Sequence, residues 1–171
     1  MNRLRKGTMY QTLISAQVLQ KEGQDFIIFD CRSYLTEPDK GLQLYREGHI
    51  PGAFFLDMES DLSSPVTPES GRHPLPDFER LQVTLLSAGV TGQAQVVVYD
   101  DMAGAMAARL WWLLRYMGHE KVAVLDGGYP AWLEAGEVGK VSESKALDLL
   151  ERDPALWAVV VAPWVLIQER A

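Results

Sequence analysis

With a single cysteine, Cys31, the chain has no internal disulfide and no CxxC pair for zinc or redox chemistry. Long apolar runs are also missing. Trp157 to Ile167 reaches only about half the length that a membrane-spanning helix requires. There is no excess of positive charge. The net charge of -7 is spread along the chain, which argues against nucleic acid or an anionic membrane as partner. Arg3, Arg5 and Lys6 are too few to change that balance. No apolar segment follows this basic start, so residues 1–12 do not read as a signal peptide and a cytoplasmic location is expected. What is present, 47% apolar and 23% charged residues in 171, is ordinary globular usage. It suffices for one α/β domain with a sizeable core, plus a tail.

Short apolar runs followed by turn residues predict buried strands at Phe26–Phe29, Val96–Tyr99 and Val122–Leu125, with a weaker one at Ala53–Leu56. Runs apolar on both faces fit a parallel sheet covered by helices. Helical patterns lie between them. Ser15 is a candidate N-cap for a short helix to Lys21. Asp77 to Ser87 puts Phe78, Leu81, Leu85 and Leu86 on one side, with Gly89 as a stop. Ala105 to Met117 is strongly apolar and ends at Gly118, and Pro130 to Ala135 is a further short helix. Alternating strands and helices predict an α/β fold with right-handed crossovers. Asp57 to Pro76, rich in Ser, Pro, Asp and Gly, reads as a surface loop.

Chemistry in such a sheet gathers beyond the carboxyl ends of its strands. Those ends hold Asp30-Cys31-Arg32, Asp100 to Gly104, and Asp126-Gly127-Gly128. The segment Asp101-Met102-Ala103-Gly104-Ala105-Met106-Ala107 joins a strand to an apolar helix. Its small residues allow successive backbone N–H groups to turn inward as an anion cradle. A cysteine heading this turn would be an activated nucleophile. Here the head is expected to be Asp101, whose own charge would fill the cradle. The competing reading is that Asp101 simply caps the helix.

These segments carry a resemblance. Asp30-Cys-Arg32, Gly48-His-Ile-Pro-Gly-Ala53, Tyr99-Asp-Asp101, Ala107-Ala-Arg-Leu-Trp-Trp112, Arg115-Tyr-Met-Gly-His119 and Leu125-Asp-Gly-Gly128 stand in order over about residues 10 to 136. The chain resembles the N-terminal domain of tandem-domain rhodaneses, the thiosulfate and 3-mercaptopyruvate sulfurtransferases. The resemblance implies a three-layer, rhodanese-like α/β fold, with a mostly parallel central sheet and helices on both faces. It also implies two similar domains, of which only the second carries a catalytic cysteine. That cysteine would take a sulfane sulfur and pass it to cyanide or a thiol. Laid on that pattern, Asp101 falls at the cysteine position and Gly104 at the loop glycine. No catalytic residue is then expected in this chain. Neither a cofactor nor a metal is expected.

The domain boundaries expected are 1–136 for the rhodanese-like domain and 137–155 for a linker. Residues 156–171 are a candidate truncated start of a second such domain, because Val18, Leu19 and Glu22 recur at an offset of 147 as Val165, Leu166 and Glu169. The expected partner is that second domain or another copy of the chain, and a small sulfur donor would bind only with it.

Cys31 is expected to be a semi-buried packing residue away from the cradle. Asp30 and Arg32 read as a structural ion pair. His49, in a tight Gly-His-Ile-Pro-Gly corner, is expected to bond backbone. Among mercaptopyruvate-type relatives the matching histidine contributes to the site between domains, so the resemblance makes His49 and Arg72 candidate contributors there. His73 shares the Arg72 loop. His119 is placed at a helix end where its charge would suit the dipole. Trp111 and Trp112 are adjacent, so at least one should face outward. Two other readings compete: a free-standing binding or regulatory module, and an acidic Mg²⁺ site built from Asp30, Asp100 and Asp101. The lack of a lysine at the last strand end disfavours the second.

Overall fold

A computed structural model of the protein describes residues 9–137, 147, 151–152, 156–161 and 164–169. It divides into two units, Met1–Trp132 and Leu133–Ala171.

The first unit is built on a five-stranded parallel sheet. Its strands are β1 (Leu13–Ile14), β2 (Ile27–Asp30), β3 (Phe54–Phe55), β4 (Val96–Tyr99) and β5 (Val122–Leu125), in the order β1-β5-β4-β2-β3. Between them run α1 (Ala16–Glu22), α2 (Lys40–Glu47), α3 (Phe78–Ser87) and α4 (Ala107–Tyr116), with α5 (Gly128–Glu137) following β5. Every residue of β4, the central strand, is fully buried. Val96 and Val98 pack with Phe29, Leu81, Leu110 and Leu113 in one cluster. Val97, Tyr99, Ile28 and Ala123 are buried outside that cluster, so the opposite face of the sheet is covered too. The expected fold class is therefore observed, and β4 and β5 have the predicted bounds.

Helix starts follow local chemistry. Ser15 Oγ accepts the amide of Val18, and the Asp77 carboxylate accepts those of Glu79 and Arg80. The sequence reading missed β1 and α2. β1 has two residues, too few to show a pattern. Gly41 at the start of α2 lowers helix propensity, but a Cβ there would stand 2.0 Å from the Arg32 carbonyl oxygen. Tertiary approach, rather than propensity, sets that residue.

The segment 57–76 runs without helix or strand, as expected. Leu62 anchors it in the core. Arg109, from α4, donates to the carbonyls of Leu62, His73 and Pro74.

In the second unit, β6 (Leu156–Val161) and β7 (Trp164–Glu169) pair antiparallel over their whole length. Val18 and Leu19 lie in α1, whereas Val165 and Leu166 lie in β7. The 147-residue offset thus pairs a helix with a strand. Of the expected linker, 137–155, only residues 137, 147 and 151–152 are described; the rest lies outside the described residues. No helix among the described residues is long and apolar enough to cross a membrane.

Candidate functional site

The carboxyl ends of β2, β4 and β5 converge as the sequence suggests, and the strand pleat decides what each side chain does. Along β4, Val96 and Val98 point into the cluster that contains Leu110 and Leu113 of α4. Period-two alternation carries Asp100 to that same side and Tyr99 to the other.

Asp100 is fully buried and its carboxylate closes the turn. Oδ1 accepts the amides of Met102 at 2.9 Å and Gly104 at 2.8 Å. Oδ2 accepts those of Met106 at 2.7 Å and Ala107 at 2.8 Å. The anion cradle foreseen in the sequence is therefore present, at the N-terminus of α4, and an internal anion fills it. The filling residue is Asp100. The expectation that Asp101 fills the turn is corrected by one position, because the pleat sends Asp101 away from α4. Asp101 Oδ2 instead accepts the hydroxyl of Tyr34, and its buried Oδ1 has no hydrogen-bond partner among the described residues. Burial and then the Asp101 bond push the Tyr34 phenol up to about 12.

The turn is tightly specified. Ala103 and Gly104 both adopt positive φ, 56° and 86°. For Ala103 this is strained backbone that only the surrounding bonds maintain. Gly128 lies against the other side of Asp100. A Cβ at Gly128 would stand 2.3 Å from the Asp100 carbonyl oxygen, which accepts the Tyr129 amide.

On the opposite face of the sheet, Asp30 and Arg32 form the expected ion pair, 2.7 Å apart and almost wholly buried. The Tyr99 hydroxyl also donates to Asp30, and burial next to that carboxylate raises its pKa. Arg32 Nη2 donates to the Gly48 carbonyl, and its guanidinium lies 4.4 Å from the centre of the Tyr129 ring. Tyr99, Tyr129 and Tyr34 were not singled out in the sequence. Tyr99 had a signal: it is the one polar-tipped residue of β4, directly beside strand-end Asp30 in register.

His49 behaves as a structural corner residue. Its Nδ1 lies 2.7 Å from the Tyr45 carbonyl oxygen, so that nitrogen carries the proton, and its ring stacks on Tyr45. The adjacent Ile50 amide donates to the Tyr99 hydroxyl. Arg72 donates to the Leu35 carbonyl, next to Tyr34, and His73 pairs with Glu59 at 2.9 Å.

Cys31 is 1% exposed and lies on the sheet side packed by Phe29, not in the turn. Burial, then the charges of Asp30 and Asp100, push its thiol well above the ordinary range. Such a thiol is protonated and inert at neutral pH.

Asp30, Asp100 and Asp101 each face a different partner. Among the described residues no group of carboxylates, histidines or cysteine converges for a metal. The imidazole of His119 does not serve the helix dipole as expected. Burial lowers its pKa, and the end of α4 is closed instead by the backbone amide of His119 bonding Leu114. Trp111 turns inward and donates to the Gln11 carbonyl, while Trp112 is exposed.

Residues 15–135 match the family model of the rhodanese-like domain. The chain belongs to the rhodanese family. A second model, a protein family of unknown function (DUF2288), matches residues 128–169 and so takes in the whole β6–β7 hairpin. Among curated relatives, the "Probable 3-mercaptopyruvate sulfurtransferase" of Pseudomonas aeruginosa is 48% identical over 128 residues, covering 72% of this chain and 45% of that protein. The "Thiosulfate/3-mercaptopyruvate sulfurtransferase 2" of Arabidopsis thaliana is 37% identical, covering 66% of this chain and 32% of its own. A solved structure, the 3-mercaptopyruvate sulfurtransferase of Leishmania major, superposes with a TM-score of 0.68 at 31% identity, covering 78% of this chain and 38% of that one. The chain thus spans less than half the length of these relatives.

Proposed function

We propose that this chain is the non-catalytic, N-terminal-type half of a sulfurtransferase arrangement, inactive in sulfur transfer by itself. The chemistry of such an arrangement is transfer of a sulfane sulfur from thiosulfate or 3-mercaptopyruvate. A thiolate attacks the outer sulfur of thiosulfate, and sulfite leaves with the electron pair of the S–S bond. The resulting persulfide then cedes that sulfur to cyanide or a thiol, and the thiolate is regenerated. This requires a thiolate at the mouth of an anion-binding turn, and in this reading it comes from a second domain.

One observation carries the reading: all four inward amides of the turn are bonded to Asp100. A second anion would meet a fixed negative charge and no free donor, in a site where burial magnifies the repulsion. Cys31 does not substitute, because it is buried, protonated and outside the turn. His49 and Arg72 would serve such a second domain at the carboxyl edge, where Arg32, Tyr34 and Asp101 already gather. The similarity to mercaptopyruvate and thiosulfate enzymes supports the substrate class.

The test is incubation of the purified chain with thiosulfate or 3-mercaptopyruvate, without acceptor for intact-mass measurement and with cyanide added for a thiocyanate assay. No sulfur adduct and no thiocyanate above background are expected. Turnover at the rate of an ordinary rhodanese overturns the proposal.

A further inference from the structure

We propose that Asp126-Gly127 is a self-modification site, at which the Gly127 amide nitrogen closes on the Asp126 carboxyl and converts the link between them to an isoaspartyl one. The product is a β-linked aspartate with a free α-carboxylate. That is the chemical class of substrate taken by isoaspartyl methyltransferases that use S-adenosylmethionine. The inference is independent of the reading of the chain as a non-catalytic half.

Asp126-Gly127 is the one Asp-Gly pair in the sequence. It leads the chain out of β5 and into α5, and both residues are exposed. The two reacting groups are unengaged. Among the described residues the Asp126 carboxylate accepts no hydrogen bond and the Gly127 amide donates none. Most backbone amides of a fold are bonded, which shields their nitrogens. Gly127 also has no Cβ to block the carboxyl, and at φ 71° it stands outside regular structure. Other aspartates lack this combination. Asp57, Asp61 and Asp77 accept backbone amides and are followed by the bulky Met58, Leu62 and Phe78.

The step balances with water alone. The Gly127 nitrogen attacks Cγ of the Asp126 carboxylic acid, the N–Cγ bond forms, and the amide proton leaves with the carboxyl hydroxyl as water. Water then opens the cyclic imide. Opening at Cγ restores aspartate. Opening at the main-chain carbonyl leaves the backbone running through Cβ and Cγ, one carbon longer. That carbon enters a link with little slack. On one side the Asp126 amide donates to the Ile14 carbonyl at 2.9 Å. On the other, a Cβ at Gly127 would stand 2.6 Å from that of Ala131, and Gly128 packs on the Asp100 carbonyl. The Tyr129 amide donates to that carbonyl at 2.8 Å, while its ring stacks on Tyr99 and lies under Arg32. A longer link displaces the start of α5 and loosens the turn that Asp100 closes.

The test is storage of the full-length chain at neutral pH, with samples taken over weeks, digested, and sequenced by electron-transfer dissociation, which separates isoaspartate from aspartate. Parallel samples are treated with an isoaspartyl methyltransferase and labelled S-adenosylmethionine. Isoaspartate is expected at residue 126 and not at Asp57, Asp61 or Asp77, with an intermediate lighter by one water. Its rate should stay within about tenfold of the rate in guanidinium chloride, because exposed, unbonded groups meet through small local openings. Asp126→Glu keeps the charge but would have to close a larger ring, so it should lose the methyl label. The isoaspartyl form, separated by chromatography, should unfold at a lower urea concentration than the parent. Absence of isoaspartate at residue 126 in the folded chain overturns the inference. So does formation at the other aspartates at the same rate, or a label that persists in Asp126→Glu. An isoaspartyl form as stable as the parent overturns its coupling to the Asp100 turn.

Discussion

The carboxylate of Asp100 accepts the amide of Gly104 from 2.8 Å, four residues further along the chain, and so folds the strand end back into the turn that follows it. Three other amides converge on the same side chain. The turn is built around its own anion. Asp100→Asn keeps the size but removes the charge and turns one acceptor into a donor. That variant should lose about 3 kcal/mol or more of unfolding free energy, measured by urea denaturation, since buried charge-assisted bonds are being broken.

Backbone strain in the turn gives a prediction of opposite sign. Ala103 is held at φ 56°, a region glycine adopts without penalty. Ala103→Gly should be neutral to stabilising by up to about 1 kcal/mol, despite the greater freedom it gives the unfolded chain. Gly128→Ala should be strongly destabilising, because its Cβ would collide with the Asp100 carbonyl. Thermal unfolding of the two variants checks both.

On the other face of the sheet, Arg32→Met would leave the Asp30 charge buried without its ion-pair partner, with only the Tyr99 hydroxyl and the backbone amide of residue 32 donating to it. A loss of roughly 3–5 kcal/mol is expected for stranding that charge. The same variant together with Asp30→Leu should recover much of the loss, as a double-mutant cycle in urea would show.

The alternation along β4 was enough to choose between the two adjacent aspartates, because Val96, Val98 and Asp100 share a phase. The pair Asp100-Asp101 is ambiguous only when read as a loop, without extending the strand. Core strands, the helix cap at Ser15, and the Asp30–Arg32 pair were legible because each has a local cause. β1, α2, and the roles of Tyr34, Tyr99 and Tyr129 were not. Those depend on which segments the sheet order brings together, and a glycine such as Gly41 looks like a break until the carbonyl beside it is known.

Stability should also fall at low pH through His119. Its imidazole is held below the ordinary value of about 6.5 by burial. The unfolded chain therefore binds the proton more readily. This contribution to stability is complete above about pH 6.5 and is lost as pH falls toward the folded-state value. His119→Phe should flatten that part of the profile. Urea midpoints between about pH 5 and 8 measure it.

Cys31 should resist alkylation in the native chain and react fully after denaturation, since both burial and the raised thiol pKa oppose attack. Iodoacetamide labelling followed by mass spectrometry reads this directly.

Sulfur loading of Asp100→Cys and Asp101→Cys, each exposed to thiosulfate and weighed intact, tests the arrangement of the turn most directly. A cysteine at 100 would inherit four inward amides and a lowered pKa, so Asp100→Cys should gain one sulfur atom while Asp101→Cys and the parent chain gain none. Loading of Asp101→Cys in preference to Asp100→Cys, or loading of the parent at Cys31, would contradict it.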